Sequence, residues 1–257
     1  MNASTKLDRH QLQDLCATLN AMGDLPVAGS RVLGLYQRVK LAVMALRHNL
    51  TQEVLAETFD ISQPTACRII SAYTSLIAHA LADSVPAVED LDPTQVLIVD
   101  GTVLKTWDWK DTPGLFSGKY RTTGLNVQVA CTLTGAIAWV SDPLPASVHD
   151  AAALRASGLL DVPPQDLPDG QAPPTHIGDK GYIGLGMITP VRKQPDRPLR
   201  KSDKIQNTSV NRIRYVVERA IANLKTWRVL HTGYRRPIQT FPQTITAVLA
   251  LTFTYTP

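Results

Sequence analysis

Cysteine is scarce. Cys16, Cys67 and Cys131 are the only three among 257 residues, odd in number and far apart. They make neither a disulfide framework nor a Cys-x-x-Cys metal clip, so a reducing setting, the cytoplasm, is expected. Long apolar runs are missing too. Runs such as residues 96–99 and 247–251 fall far short of the roughly 18 residues that a membrane-spanning helix needs, and no membrane partner is expected. The opening MNASTKLDRHQLQDL is polar and carries acids, so no secretory signal is expected. Aromatics are only 6%, yet 44% hydrophobic residues against 19% charged ones suffice for a sizeable core and exclude global disorder. The length suits one large domain, or a small one followed by a larger one.

Charge is present in modest excess, +4 overall, but unevenly placed. Residues 1–90 are net −2 and residues 91–189 net −4, whereas residues 190–236 hold 13 basic side chains against 3 acidic ones. A basic segment beside an acid-bearing middle suits a polyanion, nucleic acid first among them; a solvated basic loop is the plainer alternative.

Residues 31–82 read as three helices, with residues 1–30 as an N-terminal helical extension. Leu33, Tyr36, Val39, Val43 and Leu46 recur at helical spacing. Thr51 is placed to cap a short helix over residues 52–59. Asp60 and Ile61 make a turn, and Ser62 caps a third helix with Pro64 in its first turn. Ala66, Ile69, Ile70, Tyr73, Ile77 and Ala80 fall on the inward face of that helix, leaving Gln63, Thr65 and Arg68 outside near its start. This is the helix-turn-helix pattern, and Gln and Arg can make paired hydrogen bonds to base edges in the major groove. A three-helix packing module with solvated polar residues would look the same.

Residues 83–95, with two prolines and four acids, read as a linker. Strand candidates then dominate: 96–99, 126–133, 136–140, 175–178 and 187–191, with helices over 151–160, 207–230 and 242–253. Residues 96–257 are thus expected to form an α/β or α+β domain, strands first and helices later.

Three carboxylates stand out. Asp100 directly follows Val-Leu-Ile-Val, and a charge at the end of a buried strand is costly unless it is paired, hydrogen-bonded or metal-bound. Asp179 stands between Gly178 and Lys180-Gly181, where backbone and ligand can approach closely; a turn-capping Asp is the alternative at both positions. Glu218 lies in the long helix, whose expected buried face is Ile213, Val216, Val217, Ala220, Ile221 and Leu224. Arg214, Glu218 and Lys225 form the adjoining stripe. An exposed ion pair there would contribute only about 0.3–0.5 kcal/mol, and Arg before Glu is the poorer order for it. Carboxylates from two strand ends and a helix are a donor set for two Mg²⁺ ions roughly 4 Å apart. Spacing alone leaves open whether residues 79 and 39 positions apart converge.

Five stretches in order, VLIVDGT, LFSGKYRTTGLNVQVA, SVHDAAAL, HIGDKGY and RIRYVVERAIANLKTWR, resemble the DDE transposases of bacterial insertion sequences, in the branch related to Harbinger-type elements. The resemblance covers residues 96–236, and a preceding helix-turn-helix also fits. It implies a ribonuclease-H-like mixed sheet with flanking helices, preceded by an all-α helix-turn-helix domain. It implies Asp100, Asp179 and Glu218 as catalytic and metal-holding residues, with two Mg²⁺ per site and Mn²⁺ as a substitute. Arg214 and Lys225 match basic positions where contact with transposon-end DNA is expected. Many members carry Tyr three residues before that Arg; here Asn211 stands instead. The implied partners are double-stranded DNA, both element terminal inverted repeats and target, and further copies of the chain in a dimer or larger assembly. The implied location is the bacterial cytoplasm, at the nucleoid.

The remaining candidates are weighed individually. Lys119 and Arg121 are candidate phosphate contacts, as is Lys180. Arg192, Lys193, Arg200 and Lys201 belong to a basic loop, 192–204, suited to tracking the DNA backbone. In the His149-Asp150 pair, Asp150 is placed to cap the helix that follows, with metal binding as the rival role. Trp107 and Trp109, flanking Asp108 and followed by Lys110, suit either base stacking or packing. Two other functions stay open: a transposase-derived DNA-binding protein that no longer cuts, and a ribonuclease-H-like endonuclease without strand transfer. Serine or tyrosine recombination is the less expected reading.

Overall fold

The computed structural model describes residues 3–107, 112–168 and 171–256. The chain forms two compact units: Met1–Val85 together with Leu224–Pro257, and Pro86–Asn223. Among the described residues no helix is long and apolar enough to cross a membrane.

The first unit is helical. Its N-terminal helix α1 (Arg9–Ala21) begins with a reciprocal capping box between Asp8 and Gln11. The next three, α2 (Leu35–His48), α3 (Gln52–Thr58) and α4 (Gln63–Ala80), match the expected run closely. Helix α3 closes with Ile61 N–H donating to Ala56 O (2.9 Å) and Asp60 N–H to Glu57 O (3.3 Å). Asp60 takes the left-handed conformation (φ 51°) that such a closure requires. Ser62 then caps α4, accepting from Thr65 N–H. Thr51 occupies the cap position of α3 without a side-chain hydrogen bond.

The closing helix α7 (Phe241–Tyr255), expected with the sheet, packs instead against α4. Its apolar residues from Ile245 to Leu251 are almost all buried, and Trp227 is fully buried, donating from Nε1 to Thr252 Oγ1 at 3.0 Å. The reason is physical. A helix this apolar must bury most of its surface, and α4 lies against it, with Gln243 Nε2 donating to Ser75 Oγ at 2.8 Å.

The second unit is built on a sheet. Its strands are β1 (Ile98–Lys105), β2 (Phe116–Ser117), β3 (Thr122–Cys131), β4 (Ile137–Val140) and β5 (Leu144–Pro145). Strand β3 is the hub: β1 pairs with it antiparallel from Ile98↔Cys131 to Lys105↔Gly124, and β2, β5 and β4 pair with successive stretches. Single parallel bridges, Ile98↔Ile177 and Ile177↔Ile188, extend the sheet beyond β1 and make it mixed. They stand where short strands were expected over 175–178 and 187–191.

Two helices cover the sheet, α5 (Asp150–Ala156) and α6 (Lys201–Leu224). Leu97, Val99, Ala130 and Trp139 pack with Leu154 on the α5 face. Ile98, Cys131 and Ile177 pack with Val210, Val217 and Ala220 on the α6 face. The period-2 alternation of β1 thus sends odd residues to one helix and even residues to the other. A mixed sheet with helices on both faces, and a separate helical unit holding the helix-turn-helix, are the two parts that the resemblance implied.

Candidate active site

Asp100 sits inside β1, not at its end: pairing with β3 continues for five residues beyond it. As an even residue its side chain lies on the α6 face. The parallel bridge is tight, with Val99 N–H donating to Ile177 O (2.8 Å) and Ile177 N–H to Leu97 O (2.9 Å). Asp100 and Asp179 each lie two residues beyond the bridged pair, so the register sets them level on adjoining segments. Asp179 then starts a 3-10 turn, Lys180–Tyr182, its Oδ1 accepting from Gly181 N–H at 2.6 Å. Asp179 thus caps a turn, the plainer role weighed from the sequence, and also lies close enough to Asp100 for its charge to be felt there.

Arg214 of α6 reaches Asp100, with Nη2 donating to Oδ2 at 3.2 Å. Asp100 Oδ1 accepts from Gly101 N–H at 2.9 Å. Both partners are largely withdrawn from water, Asp100 19% and Arg214 12% exposed at the side chain. Burial pushes the Asp100 carboxyl up to about 6; Arg214 opposes the rise, and the charge of Asp179 adds to it. Arg214 Nε is buried with no hydrogen-bond partner among the described residues.

Glu218 lies one turn beyond Arg214 on α6 and is exposed. Among the described residues no three of His, Cys, Asp and Glu gather as a metal-ligand group. The structure therefore brings together Asp100, Asp179 and Arg214, and leaves Glu218 at the surface of its helix. Ile213, expected in the core, is 42% exposed, and Val210 is buried instead. Val216, Val217, Ala220 and Leu224 are buried as expected, and α6 begins at Lys201, six residues before its expected start. Lys225 falls past the end of α6 and belongs to the helical unit.

Two neighbouring carboxylates, one held near neutral acidity by burial and by its neighbour, make a donor set that a divalent cation would relieve. One arginine offsets a single negative charge. The residues present fit a divalent metal on that ground.

The other candidates spread widely. Gln63 and Arg68 are exposed at the start of α4, Gln63 Nε2 donating to Gln52 Oε1 (2.8 Å) and Arg68 Nε to Pro64 O (3.1 Å). Thr65 is half-buried and hydrogen-bonds Ser62 Oγ. Arg121, Lys180, Arg192, Lys193, Arg200 and Lys201 are all exposed, Arg121 in a left-handed turn. Lys201 and Lys204, expected in a loop, lie in the first turn of α6, where Asp203 Oδ2 accepts from Arg200 N–H.

Lys119 pairs with Asp150 at 2.7 Å. His149 takes the cap position expected of Asp150, which is instead the first residue of α5. Trp107 is exposed, whereas Asp108, Trp109 and Lys110 lie outside the described residues. Sequence reasoning missed Asn126, Gln128 and Tyr182, all buried beside the site. The signal was polar residues two apart in an otherwise apolar strand.

The family of DDE superfamily endonucleases matches residues 99–252, and the helix-turn-helix of DDE superfamily endonucleases matches residues 31–83. A protein of Streptomyces albus G, named as a transposase for insertion sequence element IS112, is 31% identical over 199 residues, 77% of this chain and 72% of the relative. A second, named as a probable transposase for insertion sequence element IS702 of Microchaete diplosiphon, is 39% identical over 64 residues, 23% of each chain.

Proposed function

The chain belongs to the DDE superfamily of endonucleases, and from that premise we propose that it is an insertion-sequence transposase that cleaves element ends and joins the freed 3′-OH groups to target DNA. The observation that carries this reading is the level placement of Asp100 and Asp179 on adjoining segments, with the Asp100 carboxyl pushed up to about 6. Asp100, Asp179 and Glu218 would hold Mg²⁺, two ions per site, with Mn²⁺ able to substitute. Bound there, the ions supply activation of water or a 3′-OH and stabilisation of the leaving oxygen.

The chain's own residues do the rest. Arg214 offsets the charge of Asp100 while the site is empty of DNA, and its guanidinium is within reach of an incoming phosphate. Glu218 joins the site by turning its carboxylate from the surface of α6 towards Asp100. Gln63, Thr65 and Arg68 read the terminal repeats from the start of α4. Lys119, Arg121, Lys180, Arg192, Lys193, Arg200, Lys201 and Lys225 meet phosphates, which fixes register without reading sequence. Two ends held together require at least two copies of the chain.

The exposed position of Glu218 favours a second reading, a DNA-binding protein that no longer cuts. A metal-dependent nicking assay on duplexes of the DNA flanking the gene decides between them. Mg²⁺-dependent cleavage by the native chain, lost in Asp179→Ala with end binding retained, is the expected outcome. Cleavage surviving in Asp179→Ala would overturn the assignment. A strand-transfer assay on pre-cut ends separates a transposase from a nuclease that only cuts.

A further inference from the structure

On the α5 face of the sheet, opposite Asp100, a buried polar chain crosses beneath the site. Asn126 and Gln128 of β3 are 2% and 0% exposed. Tyr182 Oη donates to Gln128 Oε1 (2.6 Å), and Gln128 Nε2 donates to Asn126 Oδ1 (3.3 Å). Asn126 Nδ2 donates to Asp150 Oδ1 (3.0 Å), and Lys119 Nζ donates to Asp150 Oδ2 (2.7 Å). Each group gives or accepts in one consistent direction from Tyr182 and Lys119 inward. Such a chain is no better for stability than apolar side chains of the same volume, so its presence calls for another role.

Its two ends touch the two aspartate segments. Asp150 lies directly over Gly101, the residue after Asp100: a β-carbon there would run into Asp150 Oδ1 and come within 2.6 Å of its Cγ. The Tyr182 ring lies over Gly178, the residue before Asp179, where a β-carbon would meet Cδ2 at 2.8 Å. Both glycines are thus needed because an end of the chain occupies the space of a side chain. The span between these ends is set by three hydrogen bonds through β3.

We infer that Asp150, Asn126, Gln128 and Tyr182 form a positioning network that fixes the spacing of the Asp100 and Asp179 carboxylates, with Lys119 neutralising its charged end. The inference rests on the reading that these two aspartates hold divalent metal. It gives Asp150 a role distinct from both helix capping and metal ligation. Groups that orient metal ligands commonly change metal affinity 10- to 100-fold when removed.

The test is Mn²⁺ titration calorimetry on the full chain without DNA, with the melting temperature of the metal-free protein measured in parallel. Tyr182→Phe removes one hydroxyl and keeps the ring on Gly178; Asp150→Asn alters the other end. Each should weaken Mn²⁺ binding about 10-fold or more. Because they interrupt one chain, the double variant should be little weaker than the worse single one. Asp179→Asn is the control. If the native chain binds Mn²⁺, Asp179→Asn loses it, and both Tyr182→Phe and Asp150→Asn bind as the native chain does, the network has no positioning role. Fully additive losses in the double variant would also overturn it, as two separate local effects. If Asp179→Asn binds like the native chain, the metal assignment itself fails and the inference falls with it.

Discussion

The two units handle polarity in opposite ways. In the helical unit the residues proposed to meet DNA, Gln63 and Arg68, stand exposed at the start of α4 over an apolar core of Leu41, Ile69 and Tyr73. In the sheet unit the proposed chemical groups, Asp100 and Arg214, are withdrawn from water, and even the interior beneath them carries Asn126 and Gln128. A reading surface can be altered with little effect on folding. A site made of half-buried charge is coupled to folding, because a charge in poor solvation costs free energy whether or not substrate is present.

Asp100 offers the largest effect with which to break that contrast. Its carboxyl is moved from 3.8 to about 6, which costs the charged form on the order of 3 kcal/mol. The folded chain holds this proton more tightly than the unfolded chain. The group's contribution therefore falls as pH rises from about 3.8 to about 6, and the full cost stands above that window. Asn imitates the protonated acid. Asp100→Asn should be the more stable protein in urea unfolding at pH 7.5, with the gap closing below pH 4. A variant no more stable than the native chain at pH 7.5 would mean that Arg214 already balances the buried charge, and the two units would not differ in this respect.

What could be read locally in the sequence follows the same division. The run α2 to α4 was legible because its apolar period, the Ser62 cap and Pro64 all act within one or two turns. The start of α6 was not, because residues 201–206 hold a single apolar side chain, Ile205, which is itself exposed, and so carry no apolar period. Strand β1 seemed to end at Asp100-Gly101, a pair that reads as a turn, yet Gly101 is a strand residue made necessary by Asp150. The adjacency of Asp100 and Asp179 depends on one parallel bridge between residues 98 and 177, and no local pattern encodes it; only the family resemblance joined them. Asn126 and Gln128 fall in a stretch expected as a strand, and nothing local in it encodes the contact of Asn126 with Asp150 of α5. The packing of α7 on α4 is likewise long-range, and proximity along the chain pointed to the sheet.

Arg68 sharpens the contrast from the other side. Arg68→Ala should weaken binding to the element ends by about 1–3 kcal/mol if it meets a base edge, and relax preference at one position. Its melting temperature should stay within about 1 °C of the native one, a surface change being worth under ±0.5 kcal/mol. A uniform loss across all DNA sequences, with a shallower salt dependence, would make Arg68 a phosphate contact.

The smallest effect probes the hinge between reading and folding within the helical unit. Ser62 accepts from Thr65 N–H and shares a hydroxyl hydrogen bond with Thr65, the residue between Gln63 and Arg68 in the reading turn. Ser62→Ala should destabilise by about 1 kcal/mol, as loss of a helix cap does. It should also weaken end binding, because frayed first-turn residues no longer present their side chains in one geometry. Ser62→Asp restores the cap acceptor while adding a negative charge near DNA. It should recover the melting temperature but bind more weakly as salt is lowered relative to the native chain, since repulsion is then least screened. Recovery of both properties together would place this turn away from the DNA, and the exposed polar residues of α4 would then be solvated surface only.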